Sequence, residues 1–240
     1  LRQTQTTGVF AGVEGAATIY LLTGHKWFFS VPVSDGFYTL AQTQSGVSFF
    51  FVPRILPDGA MNRVFIRRLK DKCGNRSNAS SEVEFNKTWA ILVGEEGRGI
   101  REILSHAHLT RLDFAVGSAG LMRLALTLAI NHASTRNGFG VRMSELPMQS
   151  NVLADLALES EAAPLSALRI AQATDAMEKD ATERLLARVA TPVVKFWNCQ
   201  RAAYFTYEAL QVHGGNGFIM ENPMARLYRE APLNSIWEGT

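Results

Sequence analysis

The sequence predicts an α+β chain: a small β-sandwich or barrel-like domain over residues 1–93, then an all-α, four-helix-bundle-type domain over residues 94–240. Three observations predict it. Up to about residue 93 the apolar residues fall in short β-branched and aromatic runs, with turn signals roughly every ten residues. Beyond "GEEGRG" (Gly94–Gly99) they recur three and four apart for many turns, which is a helical period. The composition, 47% hydrophobic and 19% charged over 240 residues, is that of a globular chain able to bury a substantial core.

The elements follow in order. "TIYLLTGHKWFFS" (Thr18–Ser30) reads as two β runs joined by a turn at Thr23-Gly24. "FYTLAQT" and "VSFFFVPRIL" come next, separated by "QSG". Pro53 and Pro57 stop the strand near Val52, and "SEVEFNKTWAILV" closes the set. The first long helix starts after Gly99 and stops at Asn137-Gly138. Pro147 opens a second that reaches about Ala173, with Pro164 predicting a kink or break inside it. A third runs from about Asp180 to Val212, bent at Pro192 and ended by Gly214-Gly215, and a short terminal helix follows.

The formal net charge is +2, with both signs mixed along the chain. That balance gives no electrostatic footprint for nucleic acid. Two distant cysteines, Cys73 and Cys199, make neither a zinc motif nor a disulfide framework, and reduced thiols fit a cytoplasmic protein. No apolar run is read as approaching the roughly 18–20 residues that span a bilayer. Because the chain opens "LRQTQTTG" without Met, it reads as a piece of a longer protein.

Four stretches depart from plain packing. In "GHKWFFS", aromatic side chains on a strand edge could stack on a planar ligand, with Ser30 offering a hydroxyl; an aromatic core strand has the same pattern. In "STRNGFG" (Ser134–Gly140), Arg136 matches phosphate geometry, and a basic helix end followed by Asn-Gly is equally a C-cap. In "QVHGGNGF" (Gln211–Phe218), three glycines let backbone amides approach an anion, and a helix cap also uses glycine. In "IWEGT", Glu238 beside Trp237 and Ile236 would be partly desolvated, which raises a carboxyl pKa and makes a better base; a surface turn is the alternative.

Taken together, in this order, "TRLDFAVGSAGLM", "STRNGFG", "QVHGGNGF" and "RLYREAPLNSIWEGT" resemble the acyl-CoA dehydrogenase family of flavoproteins. "LKDKCGNRSNASSEVEF" and "GHKWFFSVPVSD" are most similar to its adaptive-response (AidB-like), isovaleryl-CoA dehydrogenase-like branch. The resemblance implies the middle β domain and C-terminal helical bundle of a longer chain that also has an N-terminal helical domain. It implies FAD as cofactor, an acyl-CoA substrate, a homotetramer and electron-transferring flavoprotein as acceptor. For that branch it also implies DNA binding through a further C-terminal region, the alternative role being an alkylation-stress flavoprotein.

Residue roles follow from the same resemblance. Phe28, Phe29 and Ser30 would flank the isoalloxazine ring. Arg136 and Phe139 would reach the pyrophosphate and adenosine portion, typically of a neighbouring subunit. Gln211, Gly214, Gly215 and Asn216 would form the turn at the adenosine diphosphate, and Thr240 would lie near the flavin. Arg111, Trp237 and Gly239 would belong to the thioester site. Glu238 would be the catalytic base, taking the α proton while a hydride leaves the β carbon. Some members carry the base on the first bundle helix, where this chain has Thr110, which cannot act as one.

Overall fold

In the computed structural model, residues 2–239 are described. The chain divides into two compact units, one running to Lys72 and resuming over Arg76–His106, the other made of Cys73–Asn75 and everything from Ala107 onward.

The first unit is a barrel. Its strands are β1 (Thr7–Glu14), β2 (Ala17–Phe29), β3 (Gly36–Thr43), β4 (Gly46–Pro53), β5 (Val64–Leu69) and β6 (Ser81–Val93). The sheet order is β2-β1-β3-β4-β6-β5 with β2 also paired to β6. The pairings therefore close a five-strand ring, leaving β5 on the outside edge of β6. Closure buries Tyr20, Leu22, Phe37, Phe50, Val52, Val83 and Phe85 in one core, and removes the open edges that five short strands would otherwise expose.

Several expectations change here. Thr23-Gly24 is not a turn: β2 is one strand of 13 residues, with its register against β6 shifting between Leu22 and Thr23. Gly24 sits there because a Cβ would come within 2.7 Å of Thr6 Cα. Strands β1 and β5 were not anticipated; β1 points Val9, Phe10 and Val13 outward, so no buried alternation marks it. The expected division at 93/94 moves into the first helix, between His106 and Ala107. The reason is aromatic packing within the barrel unit: the His106 ring lies 4.9 Å from that of Tyr38 and 5.8 Å from that of Phe49.

The second unit is a helical bundle. Its long helices are α1 (Gly99–Thr135), α2 (Pro147–Ala176) and α3 (Ala181–Val212), followed by a single turn, α4 (Gly215–Phe218), and by α5 (Pro223–Asn234). Asp180 caps α3, its carboxylate accepting from the amides of Thr182 and Glu183, as a helix N-terminus requires. Pro164 does not break α2, which continues through it for 30 residues. Ala119, Met122, Ala125, Leu126, Ala129 and Ala133 on α1 pack with Leu156, Ala163, Ala202, Phe205 and Ala209. The alanines let the helix backbones come close.

Helix α1 corrects one more expectation: by length and composition it is apolar enough to cross a bilayer. Its buried stripe at three- and four-residue spacing instead forms the bundle core.

Candidate active site

The candidate site in the bundle is built from α1, α3 and the turn that follows α5. Helix α1 presents Thr110 and Arg111 side by side. Thr110 Oγ1 lies 2.7 Å from Glu238 Oε2 and 3.1 Å from the carbonyl of Ala107. A hydroxyl has one proton to give, and the shorter, charge-assisted bond to the carboxylate takes it. Arg111 Nε donates to the Glu238 backbone carbonyl at 2.8 Å. From α3, Lys195 Nζ donates to the carbonyls of Trp237 at 2.6 Å and Gly239 at 2.9 Å. Three consecutive carbonyls are thus held by two cations.

Between those anchors Glu238 adopts a left-handed backbone, φ 61, and Gly239 follows at φ 76. The first of these is costly for a side chain with a Cβ, roughly 1–2 kcal/mol, and such geometry persists where the surroundings over-determine it. Glu238 is half-buried. The apolar pair beside it splits: the Trp237 ring packs on Phe114 with centroids 4.3 Å apart, whereas Ile236 is 70% exposed. Arg111, expected near the thioester, is committed to the Glu238 backbone. Thr240 lies outside the described residues.

Lys195 was not anticipated. It is 1% exposed, and burial pulls its ammonium below the usual lysine range, reinforced by Arg111 and opposed by Cys199 and Glu238. In sequence it is a lysine amid "PVVKFWN", which gives no sign that it points inward.

A second hollow of about 340 Å³, also in the bundle, gathers Arg136, Gln211, Gly214, Gly215 and Asn216 with His132, His213 and Met143. Arg136 and the glycine turn, more than 70 residues apart in the chain, therefore share one site. Gly214 has φ 57, and a Cβ on Gly214 or Gly215 would meet nothing within 4 Å. The backbone there is open to close approach by a ligand. The rings of His132 and His213 lie tilted by 31° with centroids 4.7 Å apart, and His213 Nδ1 donates to the Ala209 carbonyl at 2.9 Å. Burial, then His213 and Arg136, hold His132 below the usual imidazole range.

Arg136 leads into a hairpin of Asn137–Gly138 and Val141–Arg142. Its turn residues Phe139 and Gly140 have φ 55 and 83, both positive, as a two-residue hairpin of the primed kind demands. Phe139 is 97% exposed at that tip.

In the barrel, a cavity of about 410 Å³ is lined by Phe28, Phe29 and Ser30 together with Lys26, Tyr38 and Thr39. Phe28 is 68% exposed, but Phe29 is buried, its ring 4.9 Å from Phe37 and 6.0 Å from Phe85. Lys26 Nζ donates to the Leu40 carbonyl at 2.7 Å, and burial lowers its pKa to about 8.

Comparison with known proteins gives these arrangements a family. Residues 97–240 match the family model described as acyl-CoA dehydrogenase, C-terminal domain. The chain is 51% identical to AidB of Escherichia coli (strain K12) over 221 residues, 92% of this chain and 41% of that protein. It is 28% identical to the human mitochondrial short-chain specific acyl-CoA dehydrogenase, over 90% of this chain and 50% of that protein. The structure superposes on Caenorhabditis elegans ACDH-11, solved in complex with C11-CoA, with TM-score 0.93 and 28% identity, over 99% of this chain and 42% of that one. The chain thus spans half or less of the length of these relatives. Together with the barrel, the helical bundle and the held Glu238, these matches place the chain in the acyl-CoA dehydrogenase family.

Proposed function

We propose that the protein to which this chain belongs is an FAD-dependent dehydrogenase of acyl-CoA thioesters with short or branched acyl chains, of the isovaleryl-CoA type, and that Glu238 is its base. The observation that carries this reading is the geometry of Glu238: a half-buried carboxylate in a left-handed backbone, held by Thr110, with Arg111 on its own carbonyl and Lys195 on the carbonyls of Trp237 and Gly239 either side. Support for the substrate class comes from the family and from ACDH-11, which binds an acyl-CoA.

The residues present fit a flavin nucleotide. Gly214 and Gly215 leave open space beside a hollow that also presents Arg136, suiting a diphosphate. The exposed ring of Phe28 borders a cavity large enough for a ring system. Arg136, Gln211, Gly214, Gly215 and Asn216 would hold the adenosine diphosphate portion, and Phe28, Phe29 and Ser30 the isoalloxazine ring. Bound FAD supplies the hydride acceptor.

Glu238 removes the proton from the carbon next to the thioester carbonyl as general base. Thr110 orients its carboxylate by donating to Oε2, leaving Oε1 to receive the proton. Trp237 excludes water from one side, strengthening electrostatic interactions at the thioester. Phe139, strained and fully exposed, supports a role at a neighbouring subunit's cofactor within a homotetramer. Electron-transferring flavoprotein as acceptor and a cytoplasmic location complete the proposal, the latter consistent with two free thiols.

The test is flavin bleaching in the intact, yellow protein. Isovaleryl-CoA or butyryl-CoA should bleach its visible absorbance, and Glu238→Gln should not respond. Failure of any acyl-CoA to bleach bound flavin would overturn the enzymatic reading.

A further inference from the structure

Lysine is rarely buried without a carboxylate, because removing an ammonium from water costs several kcal/mol even after relaxation. Lys195 is 1% exposed, and among the described residues no carboxylate oxygen lies within the 4.0 Å of an ion pair. Its partners are two backbone carbonyls. Neutral donors, such as an asparagine side chain, could serve carbonyls at smaller cost, so satisfying them does not by itself account for a cation.

The register of the contacts says more. Lys195 on α3 takes the carbonyls of residues 237 and 239, and Arg111 on α1 takes that of residue 238. Alternate carbonyls are pulled to opposite helices. This fixes the two peptide planes flanking the Glu238 Cα, and with them the left-handed φ of 61. Once those planes are fixed, the direction of the Cα–Cβ bond is fixed too, and the carboxylate falls on Thr110. One cation thus stands on the Glu238 carbonyl and the other on the carbonyls either side of it.

We infer that Lys195 is a positioning residue for the base: it acts through the carbonyls of Trp237 and Gly239 to hold the Glu238 carboxylate in its reactive orientation. The inference rests on the reading of Glu238 as base.

The experiment uses the intact, flavin-loaded protein and three variants, Lys195→Met, Lys195→Gln and Glu238→Gln. Four quantities are measured: flavin content by absorbance, steady-state kcat and KM with an acyl-CoA, and exchange of the substrate α proton with deuterium from solvent. In Lys195→Met we expect flavin content and KM within about threefold of the parent, with kcat and α-proton exchange both reduced at least about a hundredfold, the scale of a misplaced catalytic group. Lys195→Gln keeps a donor for one carbonyl and should recover part of both rates. Should Lys195→Met fail to fold, Lys195→Gln decides alone: kcat and exchange falling together at constant KM support positioning. A lysine variant that loses thermal stability while keeping the parent kcat and exchange overturns it, since the side chain is then only structural. If instead Glu238→Gln still exchanges the α proton, the base has been misidentified, an outcome that does not depend on Lys195.

Discussion

Thr110 Oγ1 stands 2.7 Å from Glu238 Oε2, although 128 residues separate them in the chain. The hydroxyl sits on the first bundle helix, α1. Here it serves a carboxylate delivered from the other end of the domain.

Replacing Thr110 with Val should therefore alter the base without disturbing packing, the two side chains being nearly the same size. A hydrogen bond to a charged group is worth about 1.5–3 kcal/mol, and its loss frees the carboxylate from the orientation that Thr110 gives it. The kcat should fall by about tenfold to a hundredfold. Thr110→Ser should restore most of it. Steady-state kcat of the three proteins checks this.

Phe139 combines a positive φ with 97% exposure, so packing does little to offset its strain. Asparagine suits that turn position. Phe139→Asn should stabilise the chain by about 1 kcal/mol, raising Tm by about 2–4 °C, while weakening flavin retention in the intact protein. Calorimetry and gel filtration measure the two effects.

Lys26 makes stability depend on pH. Its folded pKa is lowered by burial from 10.5 to about 8, so between those values the unfolded chain binds more protons than the folded one. Stability should be lower below pH 8 and rise as pH increases from about 8 to 10.5, by up to about 3 kcal/mol. Lys26→Met should abolish that rise. Denaturant midpoints across pH 7–10.5 give the measurement.

The barrel core predicts a simple loss. Phe50 is 0% exposed and its ring packs edge-on to Tyr20 at 5.1 Å. Phe50→Ala should cost about 3–5 kcal/mol, read from chemical denaturation, with the cavity left behind accounting for part of the cost.

What the sequence disclosed depended on how local each signal is. Helix α3 was legible from about Asp180 because its apolar residues recur three and four apart, a signal local to the helix itself. The barrel's aromatic strands were legible from β4 and β6, whose runs are long and apolar. Strand β5 was not, because "VFIRRL" is an outer-edge strand with basic side chains. Thr23-Gly24 looked like a turn since the glycine's true reason, the approach of Thr6, lies in a different strand. Glu238 stood out through its motif. Lys195 did not, because only the folded turn after α5 reveals which carbonyls it meets.

The glutamate's three tethers also set when it can be presented. They join residue 110 to 238, 111 to 238 and 195 to 239, closures of 128, 127 and 44 residues. Closing such loops costs entropy that local helix formation does not. The base geometry should thus be among the last features to form: φ-values near zero are expected for Thr110→Val and Lys195→Gln, and values near one for core positions on α1 such as Ala125. Helical content could be complete in a refolding chain that has not yet acquired a competent base.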